Sequence, residues 1–161
     1  MSSPKATIRK SFPRLGTTDL RVTSDPDDQY NCIAWAAGDA TQWWWPADFK
    51  HWPAGVPREV TIDAFIRAFQ TVGFIICSSP DAVAGYEKIA IYVKNGKPTH
   101  ASFALSDGTW WGSKLGTSHD IEHRTMYSVG GAVYGEPEVY MQRPISTAKR
   151  PKMPNAIAQS R

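Results

Sequence analysis

Cysteine is scarce. The chain of 161 residues carries only Cys32 and Cys77, too few to staple a disulfide scaffold. Reduced thiols in a cytoplasmic setting are the expectation. No run of about 18 apolar residues occurs, which excludes a helical membrane span. The N-terminus begins polar and stays polar, so no secretory leader is visible, and a specialised secretion route would be needed to deliver the protein elsewhere as an effector. Acidic residues are missing from both ends. Lys5, Arg9, Lys10 and Arg14 stand alone in residues 1–14, and Arg143, Lys149, Arg150, Lys152 and Arg161 in residues 143–161. Removing these nine cations from the net charge of +3 leaves residues 15–142 at about −6. The basic balance is therefore peripheral. A nucleic-acid partner is not expected, because tracking phosphates requires clustered Lys and Arg on the folded surface.

What is present suffices for one domain: the length supports a core without staples, and hydrophobic residues make up 42%. Seven tryptophans are a high count, able to fill a core or line a groove. Residues 1–27 read as a polar N-terminal segment, 28–143 as the folded domain and 144–161 as a basic, proline-containing tail. Asp27 or Asp28 is a candidate cap for a short helix over Asn31–Ala37, which Gly38 ends. An aromatic loop holds Trp43-Trp44-Trp45-Pro46 and Trp52-Pro53. Thr61 then caps a helix whose Ile62, Phe65, Ile66, Phe69 and Val72 recur at helical spacing, closed by Gly73. Phe74–Cys77 reads as a short buried strand. Lys88–Lys94 alternates, with Ile89, Ile91 and Val93 on one face. Asn95-Gly96 is a strong hairpin signal into Lys97–Leu105, and Ser106-Asp107-Gly108 turns the chain into Thr109–Leu115. With a late strand at Glu138–Arg143, the fold class is α+β: helices first, then an antiparallel meander.

Cys32 falls at the start of the first helix, where the positive helix end and unpaired N–H groups favour a thiolate. His100 falls near the start of a strand, between Pro98-Thr99 and the small Ala101 and Ser102. A helix-borne thiol facing a strand-borne imidazole is a layout for nucleophilic catalysis: the imidazole takes the thiol proton and later protonates the leaving amine.

Tyr30-Asn31-Cys32-Ile33-Ala34-Trp35-Ala36, Trp44-Trp45-Pro46, Pro98-Thr99-His100-Ala101, Trp111-Gly112-Ser113-Lys114-Leu115-Gly116 and Asp120-Ile121-Glu122-His123 together resemble a family of uncharacterised bacterial proteins. That family looks like a compact branch of the papain-like superfamily, akin to NlpC-type and CHAP peptidases and amidases. The resemblance spans about residues 28–143. It implies a papain-like α+β fold, a cysteine nucleophile on a helix, a histidine at a strand start and a third polar group on the next strand. The first two match Cys32 and His100.

For the third group, a hairpin turning at Ser106–Gly108 sets His100 roughly opposite Ser113 or Lys114. Ser113 is one orienting candidate, and Asp120 another, because a carboxylate best holds an imidazolium. Asp107 reads as a turn-former. The Cys32 N–H offers one oxyanion donor, with Gln29, Tyr30 or Asn31 supplying a second. Trp44, Trp45 and Lys114 are candidates for substrate contact.

The expected function is cysteine-dependent hydrolysis of an amide through a thioacyl intermediate, without a cofactor, on a peptide, protein or peptidoglycan-like substrate. Two rivals exist. The first is a non-catalytic peptide- or glycan-binding module on the same fold, with Trp43, Trp44, Trp45 and Trp52 lining a groove. The second is a zinc hydrolase: His119, Glu122 and His123 spell H-x-x-E-H, whose histidines would share a helix face, with Glu136 or Glu138 as third ligand.

Overall fold

A computed structural model describes residues 3–105 and 109–145. It is α+β, with one open seven-stranded sheet in the order β1-β6-β5-β4-β3-β7-β2, antiparallel at every pairing. In chain order the elements are α1 (Pro4–Ser11), β1 (Leu20–Val22), α2 (Cys32–Ala37), α3 (Ile62–Gln70), β2 (Ile75–Cys77), β3 (Tyr86–Lys94), β4 (Lys97–Ala104), β5 (Trp111–Lys114), β6 (Asp120–His123), a 3-10 turn (Met126–Val129) and β7 (Glu136–Pro144).

Local chemistry accounts for most of these. The cap of α2 is Asn31, not Asp27 or Asp28: its Oδ1 accepts the Ala34 N–H, while Asp27 turns back to accept the Gln29 N–H. Gly38 ends α2 in the left-handed region at φ 97°. Thr61 caps α3, which buries Ala64, Phe65, Ala68 and Phe69 on one face. The β3–β4 hairpin turns at Asn95 (φ 53°) and Gly96 (φ 77°), the two positive values a tight two-residue turn requires.

Two clusters of apolar side chains form the core. One joins α2, α3, Trp44 and Trp52 to Ile89, Ile91, Ala101, Phe103 and Met141 of the sheet. The other joins Ile8, Phe12, Leu15 and Leu20 to Ala90, Tyr92, Trp111 and Ile121. Alternate residues of β3 divide between the clusters, as a strand buried on both faces requires. All six residues of α2 are buried, so this helix is held by packing and not by any amphipathic stripe.

Several sequence expectations change. Part of the N-terminal segment belongs to the core, since Ser3 and Pro4 start α1 and β1 pairs with β6. β2 is an edge strand whose Ile75 and Ile76 are exposed, instead of a buried one. His119–His123, which the zinc reading would set on a helix, is extended, with Asp120–His123 forming β6. Val93 is buried but joins neither apolar cluster, and next to it both neighbours of β3 bulge, β4 at Thr99 and β7 at Glu138. The turn at 106–108, with Asp107, and the tail from 146 lie outside the described residues.

Candidate active site

Cys32 is the first residue of α2 and is only 7% exposed. Its sulfur faces the backbone N–H groups of Ala101, Ile33 and Cys32 itself, with the Lys114 charge nearby. These favour thiolate, but burial outweighs them and pushes the thiol up to about 11. The thiolate expected from the helix start is therefore not the form present at neutral pH.

His100 is wholly enclosed. Tyr134 stacks on its ring at 3.9 Å with planes 7° apart, and Tyr92 meets it edge-on at 5.0 Å. Ser113 Oγ lies 2.9 Å from its Nε2, within hydrogen-bond reach. The same hydroxyl lies 2.8 Å from Nε2 of His123, whose Nδ1 donates to the Thr125 carbonyl at 2.7 Å. Burial, reinforced by the neighbouring His123, holds the His100 imidazole well below its ordinary value. Burial takes His123 down to about 4. Both rings are neutral at pH 7.

The other nitrogen of His100, Nδ1, is buried and has no hydrogen-bond partner among the described residues. The thiol and imidazole are thus not hydrogen-bonded to each other. They are neighbours through the chain: the N–H that meets the Cys32 sulfur belongs to Ala101, the next residue after His100. Ala101 and Phe103 pack with α2, while His100 pairs across from Tyr92, which belongs to the opposite cluster.

Asp120 does not hold the imidazole. Its Oδ2 accepts the Tyr30 hydroxyl and, at 2.9 Å, the Ser24 hydroxyl. Burial raises its carboxyl above the ordinary range. Lys114 is fully buried, donating to the carbonyls of Asp27 (2.6 Å) and Gly116 (2.5 Å), with its ammonium 5.0 Å from the Tyr30 ring centroid. Burial lowers its affinity for the proton, against the pull of Asp120 and Asp27.

Of the expected oxyanion donors, Tyr30 and Asn31 are committed elsewhere. Asn31 donates from Nδ2 to the Trp44 carbonyl at 2.7 Å and accepts the Trp44 N–H at 3.1 Å, which locks the aromatic loop onto the start of α2. Gln29 is exposed and lines, with Pro26, Asp27, Asp28 and Thr117, a pocket of about 470 Å³. Trp44 and Trp52 are core residues at 5% exposure, and Trp45 packs edge-on against Phe65. A groove walled by all four tryptophans is not formed, and Trp44 is not available for substrate contact.

The H-x-x-E-H segment lies at and in β6. Extended backbone separates His119 from His123 by about 13 Å, where a helix would stack them. His119 Nδ1 sits 2.8 Å from the Ser24 carbonyl, Glu122 pairs with Arg21 at 3.4 Å, and Glu136 pairs with Arg14. Among the described residues no three His, Cys, Asp or Glu side chains gather as a metal site. Nor is any helix there long and apolar enough to cross a membrane.

No curated protein and no solved structure matches the chain. The family model described as a domain of unknown function, DUF7689, matches residues 21–142, which contain Cys32, His100, Ser113 and His123. The chain belongs to the DUF7689 family.

Proposed function

We propose that the protein is a cysteine-dependent amide hydrolase of papain-like character, with Cys32 as nucleophile and His100 as its base. The observation that carries this reading is the partnerless Nδ1 of His100, one residue along β4 from the Ala101 N–H that meets the Cys32 sulfur. A buried nitrogen without a partner costs roughly 1–3 kcal/mol, a cost a purely structural histidine has no reason to bear. Ser113 lies within hydrogen-bond reach of the opposite ring nitrogen, so one nitrogen of the enclosed ring is bonded and the other is not.

The chemistry runs from a neutral pair. As the sulfur attacks the amide carbonyl, its proton passes to His100 Nδ1. The imidazolium then gives that proton to the leaving amine, and water hydrolyses the thioacyl bond with His100 again as base. The Cys32 N–H is one donor to the developing oxyanion, and the exposed Gln29 side chain is the free candidate for the second. Cys32 is 7% exposed, and His100 faces the opposite side of β4 from Ala101 and α2, so reaction requires the cover over the thiol to shift and β4 to turn His100 Nδ1 toward the sulfur. Peptides, proteins and peptidoglycan-like amides are the substrate class. The charge of about −6 over residues 15–142 favours neutral or basic ones.

Alkylation by iodoacetamide in a Cys77→Ser background tests the reading. Cys32 should label in the native protein, faster as pH rises, and His100→Ala should slow it by about tenfold or more. An inert Cys32, or one that labels equally fast without His100, would remove the enzyme reading.

A further inference from the structure

We propose that His123 is a positioning residue that acts through Ser113 to fix which nitrogen of His100 carries the proton, leaving Nδ1 as the bare base. This inference rests on the Cys32–His100 reading for its purpose but not for its structural content.

The direction of every proton in the chain follows from its far end. The Thr125 carbonyl can only accept, so the His123 nitrogen 2.7 Å away, Nδ1, must carry a hydrogen. Burial keeps that ring neutral, so its Nε2 bears a lone pair and accepts. The Ser113 hydroxyl, 2.8 Å away, has one hydrogen and spends it there. Toward His100 the same oxygen offers only lone pairs, so His100 Nε2, at 2.9 Å, must donate. A neutral imidazole that donates from Nε2 is unprotonated at Nδ1, the relay nitrogen with no partner among the described residues.

The relay is fixed by the sheet. Ser113 lies two residues along β5 from Trp111, on the same face, and the partner of Trp111 across β5–β6 is His123; His100, Ser113 and His123 are all buried at 1% exposure or less. The groups that face the relay from packed elements are Tyr92 and Tyr134. The Tyr92 hydroxyl is occupied by Ser102 at 3.0 Å and by the Met126 carbonyl at 2.5 Å, and Tyr134 contributes its ring face. Neither supplies a competing acceptor to Ser113. The serine alone cannot choose a tautomer, because a hydroxyl donates or accepts equally well. His123 makes the choice.

Nitrogen-15 spectra of the histidine-labelled full chain at pH 7, with the Cys32 alkylation rate, test this. Wild type should show His100 protonated at Nε2. In His123→Leu the Ser113 hydroxyl is released to donate to His100 Nε2. The ring should then move to the Nδ1-protonated form, and Cys32 alkylation should slow by about tenfold or more. His123→Gln, which restores an acceptor toward Ser113 and a donor toward Thr125, should return both readouts toward wild type; Ser113→Ala should abolish the preference without touching His123. A wild-type His100 protonated at Nδ1, or a tautomer unmoved in both His123→Leu and Ser113→Ala, overturns the inference. If the tautomer follows the expected pattern while alkylation ignores His100→Ala, the relay stands and the hydrolase reading falls.

Discussion

Consecutive residues of β5 enter two buried polar clusters that treat charge oppositely. Lys114, on the side of α2, sits among Asp120, Asp27 and Tyr30 beside Cys32, where groups of opposite sign attract one another: its ammonium donates to the Asp27 and Gly116 carbonyls, and Asp120 Oδ2 accepts the Tyr30 and Ser24 hydroxyls. Ser113, on the other side, links His100 to His123, where burial has stripped the imidazoles of charge. The strand's alternation allows both within a single residue step. The difference shows what each cluster is suited to. An ionic cluster is intolerant of losing a member, because the remaining charge is stranded. A neutral relay can lose a member at modest cost in stability but with a change in where protons sit.

The largest break in this comparison is Asp120→Ala. It leaves the Tyr30 and Ser24 hydroxyls without their acceptor and Lys114 without its nearest anion. The expected loss is about 3–5 kcal/mol in denaturant unfolding. Asp120→Asn keeps an acceptor for the two hydroxyls and should lose about half as much. Equal losses would mean that charge alone holds this side together, and no loss in Asp120→Asn would mean that charge contributes nothing to it.

Acid separates the clusters next. The folded values of His100 and His123 lie below those of the unfolded chain, so between about pH 6.5 and 4 the unfolded state binds more protons. Stability then rises with pH in that window and is lost as pH falls through it. The fall of His123 from 6.5 to about 4 is alone worth about 3 kcal/mol. Asp120 acts in the reverse sense. Its raised carboxyl makes the folded state bind more protons above pH 3.8, so its contribution diminishes as pH rises. Unfolding free energies measured from pH 7 to pH 4 should therefore fall, less steeply in His123→Gln and more steeply in Asp120→Asn. The same slope in all three proteins would contradict the assignment of charge to one side and neutrality to the other.

A smaller effect is expected where the aromatic loop meets the start of α2. Asn31→Ala removes the cap bond to the Ala34 N–H and both bonds to Trp44. The stability loss should be about 1–2 kcal/mol. Cys32 alkylation should quicken, because the loop is released from the end of the helix that carries the thiol. Unchanged alkylation would argue that the loop does not control access.

Much of the frame of this comparison is legible in the chain. Thr61 and the spacing of Phe65 and Phe69 declare α3, and Asn95-Gly96 declares the β3–β4 hairpin. That hairpin, followed by a second turn, is enough to bring Ser113 toward His100. The neutral relay's last member is not legible. His123 comes into line only through the register of β5 on β6, and Asp-Ile-Glu-His reads locally as a polar turn because its burial is conferred by β1 and Trp111. The ionic side is similarly hidden. Tyr30 and Asp120 are 90 residues apart, and nothing local in either marks the other as its partner. Burial is the property that local pattern conveys least, and it decides the protonation of Cys32, His100 and His123.

The smallest effect supplies the control. Arg14 and Glu136 form a two-pronged pair at 2.7 and 2.6 Å that ties the segment after α1 to β7, with side chains 44% and 49% exposed. The geometry is as good as any in the buried ionic cluster, and the arginine beside it holds the Glu136 carboxyl below its ordinary value. Water, however, solvates both groups when the pair is broken. Arg14→Met should therefore lose less than about 1 kcal/mol, and most of that loss should vanish in high salt. Asp120→Ala should keep its penalty in the same salt, because ions do not reach Lys114. If the surface pair proved as costly as the buried one, desolvation would not be what separates the two sides of β5. The neutrality of the His100–Ser113–His123 relay would then need another cause.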